Sequence, residues 1–175
     1  MIIPVPTWFF NLIFLPGRIV HAFITQLLVN RYELDIYTLN YLEIDPKISN
    51  VIHQEPNAYR EKYSIVLIPF FTNIFLSIFS YYYSFIFDNQ AGLSLLFIYL
   101  GITFSYAAFP TSGIAKKLWK NTIVQIKEGE FIAYFLVLFV GFINVIKFLS
   151  FFSASLIFAL ILYVISNFIF KPESF

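Results

Sequence analysis

The sequence predicts an all-α membrane protein, a bundle of about five transmembrane helices with a short β-hairpin in the first inside loop. Three observations predict it. The 175-residue chain is 59% hydrophobic and only 12% charged, whereas a soluble domain carries about twice that share of charge. Its apolar residues gather into runs of about 20, the length that crosses a hydrocarbon core ~30 Å thick. Its positive charges fall almost entirely into alternate connections between those runs.

The first run, residues 8–29, is the least pure, because Asn11, Arg18, His21 and Gln26 interrupt it. The second covers 64–87 and the third 91–109. The last apolar stretch, 131–170, would rise about 60 Å as one straight helix, twice the hydrocarbon thickness. Two helices, 131–148 and 151–170, meeting near residues 144–150 with Lys147 at the interface, fit better. A four-span alternative treats that stretch as one crossing and puts Lys171 outside.

Charge placement supports five spans. Of the eleven Lys and Arg residues, Arg31, Lys47, Arg60 and Lys62 lie between the first two runs. Lys116, Lys117, Lys120 and Lys127 lie between the third and fourth, and Lys171 follows the last. The positive-inside rule then puts the N-terminus outside and the C-terminus inside. The uncharged start, Met1-Ile2-Ile3-Pro4-Val5-Pro6, has no basic n-region and reads as mature sequence, not as a signal peptide.

The connections carry weaker patterns. Leu34, Ile36, Thr38, Tyr41, Leu42 and Ile44 alternate in part, which allows a strand or hairpin at the membrane surface. Pro110-Thr111-Ser112-Gly113 opens the second long connection, and Thr111 or Ser112 could cap a helix over 114–126. Lys116, Lys117 and Lys120 on that helix would face water or lipid phosphates. The run Ser80-Tyr81-Tyr82-Tyr83-Ser84-Phe85 reads as an interfacial aromatic belt.

Composition also excludes. With no cysteine, disulfides, thiolate metal sites and cysteine nucleophiles are ruled out. A formal net charge of +1 gives no acidic or basic bias, and no basic, aromatic-interleaved stripe points to nucleic acid. The spans hold no carboxylate to relay protons. No cofactor is implied, and the partners expected are membrane lipids and other membrane protein subunits.

The most informative stretch is Leu15-Pro16-Gly17-Arg18-Ile19-Val20-His21-Ala22-Phe23-Ile24-Thr25. It resembles the first helix of the site-2-protease-like intramembrane zinc metallopeptidases. The likeness is to their small prokaryotic branch, where a Pro-Gly pair leads into His-Glu-x-x-His. In that motif two imidazoles one turn apart bind zinc and the Glu activates the metal-bound water. Here only His21 matches. Ala22 stands at the general-base position and Thr25 at the second ligand position.

Two further stretches are similar to family segments. Val51-Ile52-His53-Gln54-Glu55-Pro56, followed by Ile68-Pro69-Phe70-Phe71-Thr72-Asn73, resembles a Val-Ile-His-Glu-x-Pro segment and a Gly-Pro-x-x-x-Asn helix start, with Ile68 in place of the glycine. Phe109-Pro110-Thr111-Ser112-Gly113-Ile114 resembles a Phe-Pro-Ser-x-x-Asp stretch, with Ile114 where a third, carboxylate ligand would stand. The resemblance covers roughly residues 12–165. It implies a prokaryotic plasma membrane and a scaffold whose catalytic groups are replaced, leaving no catalytic or metal-ligating set.

Read from the residues alone, His21 fits a hydrogen-bonded packing residue and His53 a solvated loop residue. A zinc site from His21, His53 and Glu55 is geometrically conceivable. Asn11, Arg18 and Thr25 repeat every seven residues, and His21 shares their face. A mid-bilayer Arg costs ~2.5–3.5 kcal/mol on insertion scales, so this face should turn toward other helices or another subunit. Arg18 could also sit shallow if Pro16 starts the helix afresh, or meet carbonyls freed by Pro69. Three functions follow: an inactive, metallopeptidase-like subunit of a membrane assembly; a zinc-dependent intramembrane peptidase with rearranged ligands; or a small transporter or lipid-binding protein with Arg18 and His21 lining a cavity.

Overall fold

The computed structural model describes residues 12–42, 50–148 and 154–170. The described chain is mostly helical, with one small two-stranded sheet. In order it forms α1 (Leu15–Arg31), β1 (Ile36–Leu39), β2 (Val51–His53), α2 (Tyr59–Ile86), α3 (Ala91–Ala107), α4 (Ser112–Lys127), α5 (Phe131–Phe148) and α6 (Ala154–Phe170). One helix, α2, is long and apolar enough to cross a membrane; α3, α5 and α6 are shorter apolar helices. The 28 residues of α2 rise about 42 Å. Pro69 lies within it and the helix continues past it.

Local chemistry sets the turns. Pro16 occupies the first turn of α1, where its missing N–H leaves no gap in the helix ladder. At the other end Glu33 takes a left-handed φ of 54°. The Glu33 N–H then bonds the Asn30 carbonyl and the Leu34 N–H bonds the Val29 carbonyl, both at 3.1 Å. This paired closure sends the chain back along the helix it has just left. Gly129 (φ 82°) closes α4 the same way, through Gly129 N–H to Ile126 O and Glu130 N–H to Gln125 O. Thr111 is the N-cap of α4, without a side-chain cap bond.

Helices α1, α2 and α3 pack through small and hydroxyl residues. Gly17 lies so close to the Thr103 backbone that a Cβ there would fall inside its carbonyl group. At Gly101 a Cβ would enter the Tyr81 ring. Ser77 Oγ donates to the Gly101 carbonyl at 2.8 Å and lies 3.0 Å from Ser105 Oγ. Ser94 Oγ donates to the Ser84 carbonyl at 3.0 Å. Close backbones and inter-helix hydroxyl bonds are how helices associate where solvent supplies no hydrophobic push.

The exterior is the reverse. Phe131 is 84% exposed, Leu138 73% and Phe168 87%, while Asn73, Ser77, Thr103 and Ser105 are fully buried. Water-soluble chains rarely leave so continuous an apolar surface uncovered.

Two expectations need correction. Tyr81 is fully buried and donates to the Ala159 carbonyl at 3.1 Å, so it belongs to the core and not to an interfacial belt; Tyr82 is exposed. The end of α5 at Phe148 falls where the sequence places it; Asn144 lies inside the helix, and its Nδ2 donates to the Ala115 and Val140 carbonyls at 2.9 Å. The sense of α6 also differs from an alternating five-span order. Ala159 meets Tyr81, and Tyr163 meets Tyr81 and Phe85, so contacts advance along both chains together and α6 runs parallel to α2. Helices α4 and α5 are instead the antiparallel pair, tied at one end by Asn144 to Ala115 and at the other by Tyr134 Oη to the Ile126 carbonyl.

Candidate functional site

Helix α1 lies antiparallel to α2, which brings His21 opposite Asn73. Asn73 Nδ2 is 3.3 Å from His21 Nδ1. An amide N–H donates to that ring nitrogen when the imidazole proton sits on Nε2. Asn73 is fully buried, and its Oδ1 has no hydrogen-bond partner among the described residues. A half-turn of the amide would present Oδ1 to Nδ1–H instead, so the pair can follow either tautomer. Of the sequence-predicted positions, the structure brings these two together.

The rest of the degenerate motif does no ligand chemistry. Ala22 is buried and carries no base. Thr25 is buried, and its hydroxyl donates to the His21 carbonyl at 2.8 Å. Ile114 sits in the first turn of α4 and offers no donor atom. Asn11, which shares the Arg18–Thr25 face in sequence, lies outside the described residues.

His53 is half-buried at the end of β2, with Nδ1 2.7 Å from the Gln54 carbonyl. Glu55 accepts from Lys117 Nζ at 2.5 Å, with Lys62 Nζ 3.8 Å away. The Lys117 hydrogen bond holds the Glu55 carboxyl below the usual carboxylate range, assisted by the charge of Lys62. His53 and Glu55 are thus engaged with Gln54, Lys117 and Lys62. Among the described residues no three His, Cys, Asp or Glu side chains gather closely enough to hold a metal ion.

Arg18 finds a partner that neither expectation foresaw. Its Nη2 donates to Asn50 Oδ1 at 3.0 Å. The two strands form an antiparallel hairpin, with Ile36 opposite His53 and Leu39 opposite Val51. The base of the hairpin packs by Leu34 and Ile36 against Leu28, Val29 and Ile65. Its far end reaches back along α1: Tyr41 Oη bonds Gln26 Oε1, and Asn50 meets Arg18. Asn50 Nδ2 also donates to the Asn40 and Tyr41 carbonyls at 3.0 and 3.3 Å. From Arg31 to Arg18 is about 20 Å along a helix, so the hairpin does not lie flat at one end but climbs α1. Sequence reasoning missed Asn50, Gln26 and Tyr41. The partial alternation of 32–44 marked β1 but not β2, and nothing in it marked the direction in which the hairpin folds.

Around Arg18 the packing is aromatic and close. Phe14 stacks on Tyr106 with centroids 3.9 Å apart, and Tyr99 Oη donates to the Ile13 carbonyl at 2.7 Å. The result is a polar strip on α1, made of Arg18, His21, Thr25 and Gln26, covered by α2, α3 and the hairpin. It positions polar groups, and it carries no nucleophile–base pair.

Comparison of the chain with protein-family models, with curated proteins and with solved structures finds no match.

Proposed function

We propose that this chain is a multi-pass membrane protein, built on a scaffold like that of the site-2-protease-like metallopeptidases without their catalytic residues, and that it serves as a structural or accessory subunit of a membrane assembly. The observation that carries the reading is the state of the degenerate motif. His21 packs against Asn73, Thr25 is spent on its own helix, and Ala22 and Ile114 have nothing to offer a metal or a proton.

In this reading α1, α2 and α3 cross in alternating sense and α6 crosses parallel to α2. The α4–α5 pair then lies at the inner leaflet, and both chain ends, Lys171 included, face the side opposite Lys116, Lys117 and Lys120. This is the four-span alternative, and the parallel course of α6 favours it over five spans. Single cysteines in this cysteine-free chain test it. Asn89→Cys and Ser174→Cys should label from outside, and Gly129→Cys only after permeabilisation. Labelling of Ser174→Cys together with Gly129→Cys would restore the five-span order.

The subunit role is tested by mild-detergent purification from native membranes. A membrane protein should co-purify in fixed ratio. A lone monomer would remove that role. Stoichiometric zinc, lost on His21→Ala, would replace it with the peptidase reading.

A further inference from the structure

We infer that helix α4 is an anionic-lipid headgroup site in which Lys116 and Lys120 hold the phosphate while Lys117 does not. The inference rests on the membrane reading above and deepens it.

The argument starts from the burial pattern of α4. Ala115, Leu118, Thr122 and Gln125 are buried, and Lys116, Lys117, Lys120 and Lys127 are exposed. The buried side is pinned firmly: Tyr63 Oη donates to Thr122 Oγ1 at 2.9 Å, and Asn144 holds the Ala115 carbonyl. The helix therefore cannot roll, and its lysine side has a fixed direction.

What lies beside that side decides the occupant. Trp119 is partly exposed, resting near Gly141 of α5. Phe131, Phe135 and Leu138 are exposed on α5, the helix packed against α4. A surface of large apolar side chains bordered by lysines and an indole matches the acyl–headgroup boundary of a bilayer, where ammonium groups meet phosphates and Trp anchors. A protein partner would need acidic and apolar groups in register; a membrane supplies both without further design.

The three lysines are not equivalent. Lys117 is bound to Glu55, which also faces Lys62. Its charge is already answered by a carboxylate from the segment joining β2 to α2. Lys116 and Lys120 stand one turn apart on α4 with no acidic partner among the described ion pairs. Two ammonium groups at that spacing can share one phosphate. Each lysine near a membrane surface favours anionic lipid by roughly fivefold at low salt.

Trp119 supplies the readout. The chain has two tryptophans, so Trp8→Phe leaves Trp119 as the sole tryptophan, which red-edge excitation selects over the tyrosines. The full chain is reconstituted into phosphatidylcholine vesicles containing a minor fraction of brominated phosphatidylglycerol or, in parallel, of brominated phosphatidylcholine. The expected result is several-fold stronger quenching by the anionic lipid, weakening as salt rises. Lys116→Ala with Lys120→Ala should bring the preference close to one. Lys117→Ala should keep most of it, and Glu55→Gln should raise it by releasing Lys117. Equal quenching by the two lipids overturns the inference, as does a loss in Lys117→Ala equal to that in the double variant. Vesicle flotation separates the two levels: a chain that floats without lipid preference refutes the headgroup site alone, and one that does not float refutes the membrane reading with it.

Discussion

The junction of α1, α2 and α3 and the α4–α5 pair hold helices together by opposite means. In the first, glycines and hydroxyls let backbones touch, and buried Ser77, Ser105 and Tyr81 bond across the gap. In the second, larger apolar side chains fill the contact: Trp119 lies against Gly141, and Leu118 joins Phe109, Val140 and Ile143 in an apolar cluster. Tolerance to change should differ accordingly. Contacts between backbones cannot yield, whereas a side-chain end can move.

The sharpest way to break that comparison is at its glycines. Gly17→Leu should cost about 3 kcal/mol or more, because the added atoms meet the Thr103 backbone. Gly141→Ala should cost much less, since its Cβ would sit 3.4 Å from the edge of the Trp119 ring. Thermal unfolding of both variants in one detergent reads the difference; equal losses would remove the distinction. Next in size is Tyr81→Phe, which deletes the hydroxyl bonds to Ala159 and Ser105. Inter-helix bonds of this kind average about 0.6 kcal/mol, with a ceiling near ~1.7, and the same unfolding assay applies.

Smaller still is a gain. Glu33 occupies a left-handed position closing α1, where a side chain costs about 1 kcal/mol relative to glycine. Glu33→Gly should therefore stabilise by up to about that amount, and a loss would show that the carboxylate is needed there.

The smallest effect concerns pH. The Lys117 bond keeps the Glu55 carboxyl below the usual carboxylate range. Its contribution is thus complete above the ordinary carboxylate pKa and is lost as pH falls through the lowered value. The pair is exposed, so the effect on stability should be slight. A shallow acid-side decline in thermal stability, absent in Glu55→Gln, would show it.

The sequence was legible where one residue governs one outcome. Thr111 and Ser112 pointed to the start of α4, and the apolar runs marked α2, α3, α5 and α6 to within a few residues. The first hairpin strand was visible in partial alternation, and the second was not. The return of the hairpin along α1 was not, because it depends on Glu33, a residue without turn preference, adopting a glycine-like φ. Nor was the parallel course of α6, since helix sense is set by long-range packing such as Tyr81 on Ala159. At the candidate site, the His21–Asn73 pairing connects two stretches singled out by motif resemblance. The Arg18–Asn50 bond had no sequence signal, because Asn50 sits in a polar loop like any other.

The central claim is that lipid covers the apolar exterior. The direct measurement places single cysteines at Phe75, Leu138 and Phe168 in native membranes and compares their reaction with an aqueous maleimide against Asn57 and Asn89. Protection at the three exposed apolar sites, with fast labelling at the two asparagines once both faces are accessible, is the predicted result. Equal labelling at all five positions would contradict it.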